Sequence, residues 1–182
     1  AARSMALWVV FGRHLLGSAL AALNEAEAAL EEIHRGRAEA EKLRNSIFKP
    51  MTLHFEAQAL ASLGRFDEAF ARLAESLETV EATQERWWEA EIYRLRGEIS
   101  RQSKGSQDDT ETSFRRAIEV ARDQKAKLFE LRAATSLGRL WQEAGKNREA
   151  RELITPLYEW FTEGMESPDL KNARTLLEEL SN

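Results

Sequence analysis

Cysteine is absent from this sequence of 182 residues, which also holds only 3 histidines and 3 prolines. The lack of thiols excludes disulfide bridges, thiolate zinc sites and a cysteine nucleophile, and so few histidines leave little from which to build a metalloenzyme. With 3 prolines and 9 glycines, the chain has too few breakers for a fold of many strands and turns. Its 43% apolar and 31% charged residues are typical of a folded protein, which we expect to be mainly helical.

The chain also lacks a strong excess of either charge and any long hydrophobic run. Lysine and arginine number 26, aspartate and glutamate 31, and the net charge of −5 creates no positive field for nucleic acid or anionic lipid. The longest apolar run near the start, from Met5 to Phe11, is far shorter than the roughly 20 residues that cross a membrane. We therefore expect a soluble, cytoplasmic protein whose partners are neither nucleic acids nor membranes.

A repeat of about 40 residues runs through the sequence. Its anchor positions lie at steps of 40, 40, 41 and 40 residues and are mostly small: Gly17, Ala57, Gly97, Gly138 and Glu178. A second small residue follows each of the first four anchors: Ala29, Ala69, Thr110 and Ala150. Four residues further on comes a bulky apolar side chain: Ile33, Leu73, Phe114 and Ile154. An aromatic residue precedes each of these anchors by nine positions: Trp8, Phe48, Trp88 and Phe129. Columns that keep one register indicate stacked structural repeats.

Each period contains two amphipathic helices, because its apolar residues follow the spacing of a helix. Glycines suited to a left-handed helix cap separate the two helices: Gly64, Gly105 and Gly145. Ser167 followed by Pro168 predicts the start of one more helix. The sequence thus predicts an all-α fold, a right-handed superhelix of four antiparallel helix pairs at about residues 5–44, 45–84, 85–125 and 126–165, closed by a capping helix at 167–181. We expect one domain over residues 1–182, in which the small anchors let paired helices approach closely.

The pattern resembles the tetratricopeptide repeat (TPR), most clearly in the fourth period: Leu137, Gly138, Trp141, Gly145, Ala150 and Ile154. That repeat usually has about 34 residues, so a period of 40 implies helices that are longer by a turn or more. Ala57 and Glu178 replace the expected glycine and weaken the second and fifth repeats. The resemblance implies a solenoid that binds proteins or peptides along a groove, which the first helix of each pair lines.

A narrower resemblance covers roughly residues 53 to 180. The segments that carry it are ERWWEAE at 85–91, RLRGE at 94–98, ELRAA at 130–134, WFTEG at 160–164 and DLK at 169–171. Together they are similar to the C-terminal repeat region of bacterial multidomain regulators. Those proteins pair a class III adenylate/guanylate cyclase domain or a DNA-binding transcriptional-activator domain with an AAA-type signal-transduction ATPase. The resemblance implies a regulatory arm. Because the first methionine is Met5, we expect that the N-terminus is either cut from a longer protein or carries added residues.

No catalytic motif accompanies these repeats. The sequence has no phosphate-binding loop and no His-Glu-x-x-His pair, and the isolated serines at 62, 76 and 100 have no histidine in register. Zinc between His14 and His54 would lack two further ligands. We therefore predict that this chain is not an enzyme and uses no metal or cofactor.

The expected groove can be traced from equivalent positions in successive repeats. The first two repeats contribute an apolar floor with two imidazoles: Phe11, His14, Met51 and His54. The next two contribute charged side chains: Glu91, Arg94, Glu98, Arg101, Arg132 and Arg139. A peptide with an apolar segment and a carboxylate end would fit this order. Two alternatives stay open: the charges pair with one another on a solvated face and the histidines only pack, or the groove binds a small molecule and controls an upstream ATPase or cyclase.

The N-terminal repeat has an unpartnered side in this scheme, because no helix precedes Trp8, Val9 and Phe11. Two interpretations remain open for that face: a homodimer interface, or the docking surface of upstream domains of the same protein. Elsewhere the aromatic column is expected to lie in the core. Trp87 and Trp88 cannot both face inward, so one of them should be an exposed candidate hot spot.

Overall fold

The computed structural model of the protein describes residues 2–23, 25–43 and 47–181, and within these ranges the side chains other than those of residues 2–7 and 22. The described residues form nine α-helices and no strand. The helices are α1 (Ala2–Ala22), α2 (Ala26–Lys42), α3 (Lys49–Ser62), α4 (Phe66–Thr83), α5 (Glu89–Gln102), α6 (Gln107–Asp123), α7 (Lys127–Glu143), α8 (Asn147–Glu159) and α9 (Pro168–Glu179). Four helix pairs and a closing helix are present, as predicted.

The chain divides into two compact units, residues 1–88 and residues 89–182. The first unit (unit 1) contains α1 to α4, and its contacts pair α1 with α2, α3 with α4, and α3 with both preceding helices. At the crossing of α1 and α2, a Cβ atom on Gly17 would lie 2.5 Å from Ile33 Cγ1. The equivalent residues of the second pair, Ala57 and Leu73, are both buried. The anchor column therefore marks the line where the two helices of a pair touch.

The second unit (unit 2) contains α5 to α9 and repeats this packing. A Cβ on Gly97 would lie 2.5 Å from Phe114 Cε1, and one on Gly138 would overlap Ile154. The closing helix α9 packs on α7 and α8, where its Leu176 approaches Gly138. Each predicted anchor glycine thus faces the bulky residue that the sequence pattern assigns to the second helix of the same pair.

The turns within the pairs correct one detail of the sequence interpretation. Gly64 and Gly145 adopt the predicted left-handed conformation, with φ of 72° and 73°. In the third pair the left-handed residue is Lys104, with φ of 56°, instead of Gly105. Gly105 is needed for a different reason, because a Cβ there would lie 2.8 Å from Ser100 Oγ. The cap positions therefore follow one another at 64, 104 and 145, which reproduces the 40- and 41-residue steps of the anchors.

Candidate functional site

The predicted histidine floor of unit 1 lies inside the protein. His14 is 2% exposed, and Met51 and His54 are buried as well. The Thr52 hydroxyl donates to the Phe48 carbonyl oxygen at 2.9 Å, so the Nδ1–H of His14 donates to Thr52 Oγ1, also at 2.9 Å. These contacts give the His14 ring a structural role in the interior of unit 1.

Burial also keeps the His14 ring neutral. Its Nε2 has no hydrogen-bond partner, and a Cβ on Gly36 would lie 2.7 Å from that atom. Desolvation, helped by the positive charge of Arg37, lowers the pKa of His14 to about 4. Two imidazoles that could hold a metal are thus not offered on a surface, and the described residues contain no cluster of three or more metal-ligating side chains.

Aromatic rings surround the remaining predicted residues of unit 1. Phe11 is half-buried against Phe48, with ring centroids 4.9 Å apart, and His54 contacts the Trp88 ring at 5.6 Å. Trp88 is half-buried whereas Trp87 is 42% exposed, which confirms that only one of the pair faces inward. Trp8 is 72% exposed, as expected for the unpartnered side of the first repeat, because α1 packs on α2 and α3 alone among the described helices.

A pocket of about 220 Å³ in unit 2 brings together four of the six predicted charged residues. It lies among α5, α7 and α9 and is lined by charged and polar side chains: Arg94, Arg132, Arg139, Glu98, Asp169, Thr135, Ser136 and Asn172. We call this the arginine pocket. Of the other two predicted residues, Glu91 is buried, and Arg101 lines a separate pocket of about 170 Å³.

Glu91 fixes two of the three arginines. Its carboxylate is 1% exposed and accepts hydrogen bonds from Arg94 Nη2 at 2.9 Å, while Arg132 Nη2 lies 3.0 Å from the same oxygen. Burial acts to lower the pKa of Arg94, but the negative charge of Glu91, with those of Glu98 and Asp169, outweighs it and raises that pKa. A buried carboxylate must be paired to be tolerated, so Glu91 holds both guanidinium groups in defined positions.

The two carboxylates that line the pocket, those of Glu98 and Asp169, also have polar or charged partners. Glu98 accepts a hydrogen bond from Ser136 Oγ at 2.6 Å and lies 3.5 Å from Arg101 Nη2. Asp169 lies 3.5 Å from Arg132 Nε. Most of the charged residues of the predicted groove therefore pair with one another, which was one of the two alternatives left open by the sequence.

Arg139 is the exception. It lines the pocket and is partly buried, yet within the described part of the chain its guanidinium makes no hydrogen bond or ion pair. Glu91, Glu98 and Asp169 balance two arginines of the pocket and the outlying Arg101, which leaves the charge of Arg139 uncompensated. A guanidinium held at a pocket wall without a carboxylate is a natural binding group for an anion.

Sequence reasoning missed the contribution of α9. Asn172 and Asp169 lie six and nine residues before the fifth anchor, at the repeat positions that Arg132 and Phe129 occupy in the fourth repeat. Continuing the groove column of Arg132 by one more step would have found Asn172, whereas Asp169 falls in the aromatic column, which predicts core rather than groove. They were missed because α9 was treated only as a polar cap.

The described helices were also compared with known proteins. No protein-family model and no curated protein matches the sequence. Among solved structures, the chain is similar to a putative kinesin light chain of Podosopora anserina with nearly identical TPR-like repeats, with a TM-score of 0.67 and 17% identity. That match covers 94% of this chain and 84% of the other. A single-substitution variant of the same protein gives a TM-score of 0.68 and 16% identity, with the same coverage.

The chain has a TPR-like fold. The likeness confirms the predicted class, an all-helical solenoid of TPR-like repeats, and at these identities it shows the fold alone. In this TPR-like fold the arginine pocket lies on three helices that begin a repeat, α5, α7 and α9, as expected for a groove. None of the helices in the described ranges is long and apolar enough to cross a membrane.

Proposed function

We propose that this chain is a protein-interaction scaffold whose arginine pocket receives a carboxylate of a peptide partner, either from an acidic side chain or from the chain terminus. The TPR-like fold supports a binding role, since stacked helix pairs present extended concave surfaces to partners. On this proposal the chain works by recognition, without catalysis and without a cofactor.

The observation that carries the proposal is the uncompensated guanidinium of Arg139. Arg94 and Arg132 are already hydrogen-bonded or paired to buried Glu91, so they orient the site and reduce the cost of bringing a second anion near it. A carboxylate that binds Arg139 would also meet the side-chain amide of Asn172, which lines the same pocket and can donate a hydrogen bond.

The size of the pocket favours a peptide group over a whole metabolite. Its volume of about 220 Å³ is smaller than the roughly 300–1,000 Å³ of typical small-molecule sites. One observation favours the alternative of a small-molecule sensor: a pocket of about 590 Å³ beside α8, lined by Asn147, Arg148, Arg151, Glu152, Thr155 and Leu180. A metabolite that raises the melting temperature saturably would support that alternative.

Selection of acidic C-terminal peptides from an array tests the proposal. Peptides bound by the wild type are measured again with Arg139→Ala, for which we expect a loss of about 1–3 kcal/mol, roughly 5- to 150-fold in affinity, because a charged hydrogen bond is removed. Arg96→Ala is the matched control, because Arg96 is exposed on α5 and does not line the pocket. Peptides that bind equally well to Arg139→Ala would refute the site.

The proposal extends to the protein of which this chain would be a part. The resemblance of residues 53–180 to the repeats of bacterial regulators supports a role as the C-terminal arm of a signalling protein with a cyclase or transcriptional-activator domain and an ATPase. In that setting the upstream domains are further partners of the arm. Sequencing of the coding region that precedes residue 1 tests this part: we expect a phosphate-binding loop there, and its absence would contradict the assignment.

A further inference from the structure

Helix α1 exposes an apolar face that no other described helix covers. Trp8 is 72% exposed, Leu16 50% and Leu23 68%, and Val9 and Leu15 are also exposed. With Gly12 and Ala19, these residues occupy an arc of roughly 120° around the helix, at about 100° per residue. We call these seven residues the α1 face: Trp8, Val9, Gly12, Leu15, Leu16, Ala19 and Leu23.

The corresponding face of later repeats is buried. Gly12, Leu15 and Ala19 are exposed, although the residues at the same repeat positions in two later first helices are covered. In α3 these are Thr52, Phe55 and Ala59, and in α7 they are Ala133, Ser136 and Leu140. Those two helices pack on the helix pair before them in their own unit. The α1 face therefore has the position and composition of a helix-packing surface.

Gly12 gives an independent indication that another backbone approaches here. Four other glycines lie inside helices, and a Cβ on any of them would collide with a neighbour at 2.7 Å or less: Gly17, Gly36, Gly97 and Gly138. At Gly12 no atom of the described residues lies within 4 Å of such a Cβ. A glycine inside a helix lowers its stability, so one with open space around it indicates a close contact that the described residues do not supply.

Charge also favours an apolar partner at this face. Between Trp8 and Leu23 the only charged side chain is that of Arg13, which is paired with Glu32 at 2.6 Å and Glu39 at 3.3 Å on α2. Helix α9, the last of the chain, exposes a polar surface with Lys171, Arg174 and Glu179. A contact between α1 of one copy and α9 of another would thus place an apolar face on a charged one, whereas an α1–α1 contact would not.

We propose that a second copy of this chain packs on the α1 face through an antiparallel, two-fold symmetric α1–α1 contact. The centre of the apolar arc falls between Leu15 and Leu16. A two-fold axis there pairs residues whose numbers sum to 31, so that Leu15 meets Leu16, Gly12 meets Ala19, and Trp8 meets Leu23 of the other copy. The small pair lies about 5 Å to either side of the axis at 1.5 Å per residue, which allows the two backbones to approach closely.

The exposed area is sufficient for such a dimer. The large side chains of the α1 face expose roughly 500 Å² per copy, and the two copies together reach the roughly 1,000 Å² of a small specific interface. An interface at this small end of the range is typical of weak, transient pairs, so we expect the dimer to exchange with monomer at working concentrations.

Sedimentation equilibrium of residues 1–182 tests the proposal. We expect a monomer of 20.8 kDa at low concentration and a dimer of twice that mass at roughly 100 μM. Leu16→Glu should weaken the dimer at least tenfold, since the charge would be buried against the partner's Leu15, and Gly12→Gln should do so by blocking the close approach. Leu128→Glu is the matched control, because it changes an exposed leucine of α7 in the same way.

Mixing two variants tests the antiparallel register itself. Leu16→Glu and Leu15→Lys should each form much less dimer than wild type at roughly 100 μM. Their equimolar mixture should recover a dimer, in which one Glu–Lys pair and one Leu–Leu pair replace the two native contacts. Circular dichroism establishes that each variant is folded. A strictly monomeric wild type, a dimer that Leu16→Glu and Gly12→Gln leave intact, or a mixture that stays monomeric would each overturn the proposal.

Discussion

Removal of the Arg94 side chain tests the buried network on which the arginine pocket rests. Glu91 is 1% exposed, and its carboxylate is held by Arg94 at 2.9 Å and by Arg132 at 3.0 Å. Breaking a buried ion pair lowers the free energy of unfolding by about 3–5 kcal/mol. Because Arg132 still pairs with Glu91 in Arg94→Ala, we expect that variant to lose about 3 kcal/mol, near the lower end of the range. For a chain of this size, that corresponds to a fall in melting temperature of roughly 6–12 °C.

Urea and thermal unfolding followed by circular dichroism measure this loss. Arg96→Ala removes an exposed arginine of the same helix and should stay within about 0.5 kcal/mol of wild type. The double variant Glu91→Leu with Arg94→Leu removes both charges together and should lie much closer to wild type than Arg94→Ala does. If Arg94→Ala were no less stable than Arg96→Ala, the inference that Glu91 positions the pocket arginines would be wrong.

Two further predictions concern stability. The pKa of His14 in the folded protein is about 4, below its ordinary value of 6.5, so on acidification the unfolded chain binds the proton first. The free energy of unfolding should therefore fall by up to about 3 kcal/mol as the pH drops from 6.5 to 4. That part of the pH dependence should disappear in His14→Gln and persist in His34→Gln, an exposed control, when unfolding is measured across this window. Gly97→Val should lower the free energy of unfolding by about 2 kcal/mol, because the new side chain would overlap Phe114. Gly12→Ala has open space around it and should raise the free energy of unfolding by about 1 kcal/mol in dilute solution. Equal effects of the two substitutions would contradict the packing role of the anchors.

The fold was predictable because the same packing contact, between a small anchor residue and a bulky residue of the paired helix, recurs in successive repeats. Gly17, Gly97 and Gly138 each face a bulky residue at a fixed distance along the chain, so the columns reveal which side chains meet. A single pair would not have been distinguishable from ordinary helix composition. The cap at Lys104 was not predictable, because glycine preference indicates the neighbouring Gly105, which is kept small by Ser100.

The candidate site was predictable only in part. Repeat position indicates which side of a helix a residue occupies, and this was enough to bring Arg94, Glu98, Arg132 and Arg139 together. It does not indicate how deeply a side chain is covered. His14 is buried through its contact with Thr52 and the space left by Gly36, and the groove columns indicate neither of these contacts. Which arginine lacks a carboxylate likewise depends on side-chain geometry, so Arg139 became distinctive only in the structure.

The most direct test of the account is an NMR titration that observes the arginine Nε–H groups while a selected acidic peptide is added. The central claim is that Arg139 of the arginine pocket holds the carboxylate of a partner. We predict a saturable shift of the Arg139 signal, with little change at exposed Arg96, and loss of that response when the peptide carboxylates are replaced by amides. A peptide that binds and leaves the Arg139 signal unmoved would contradict the claim.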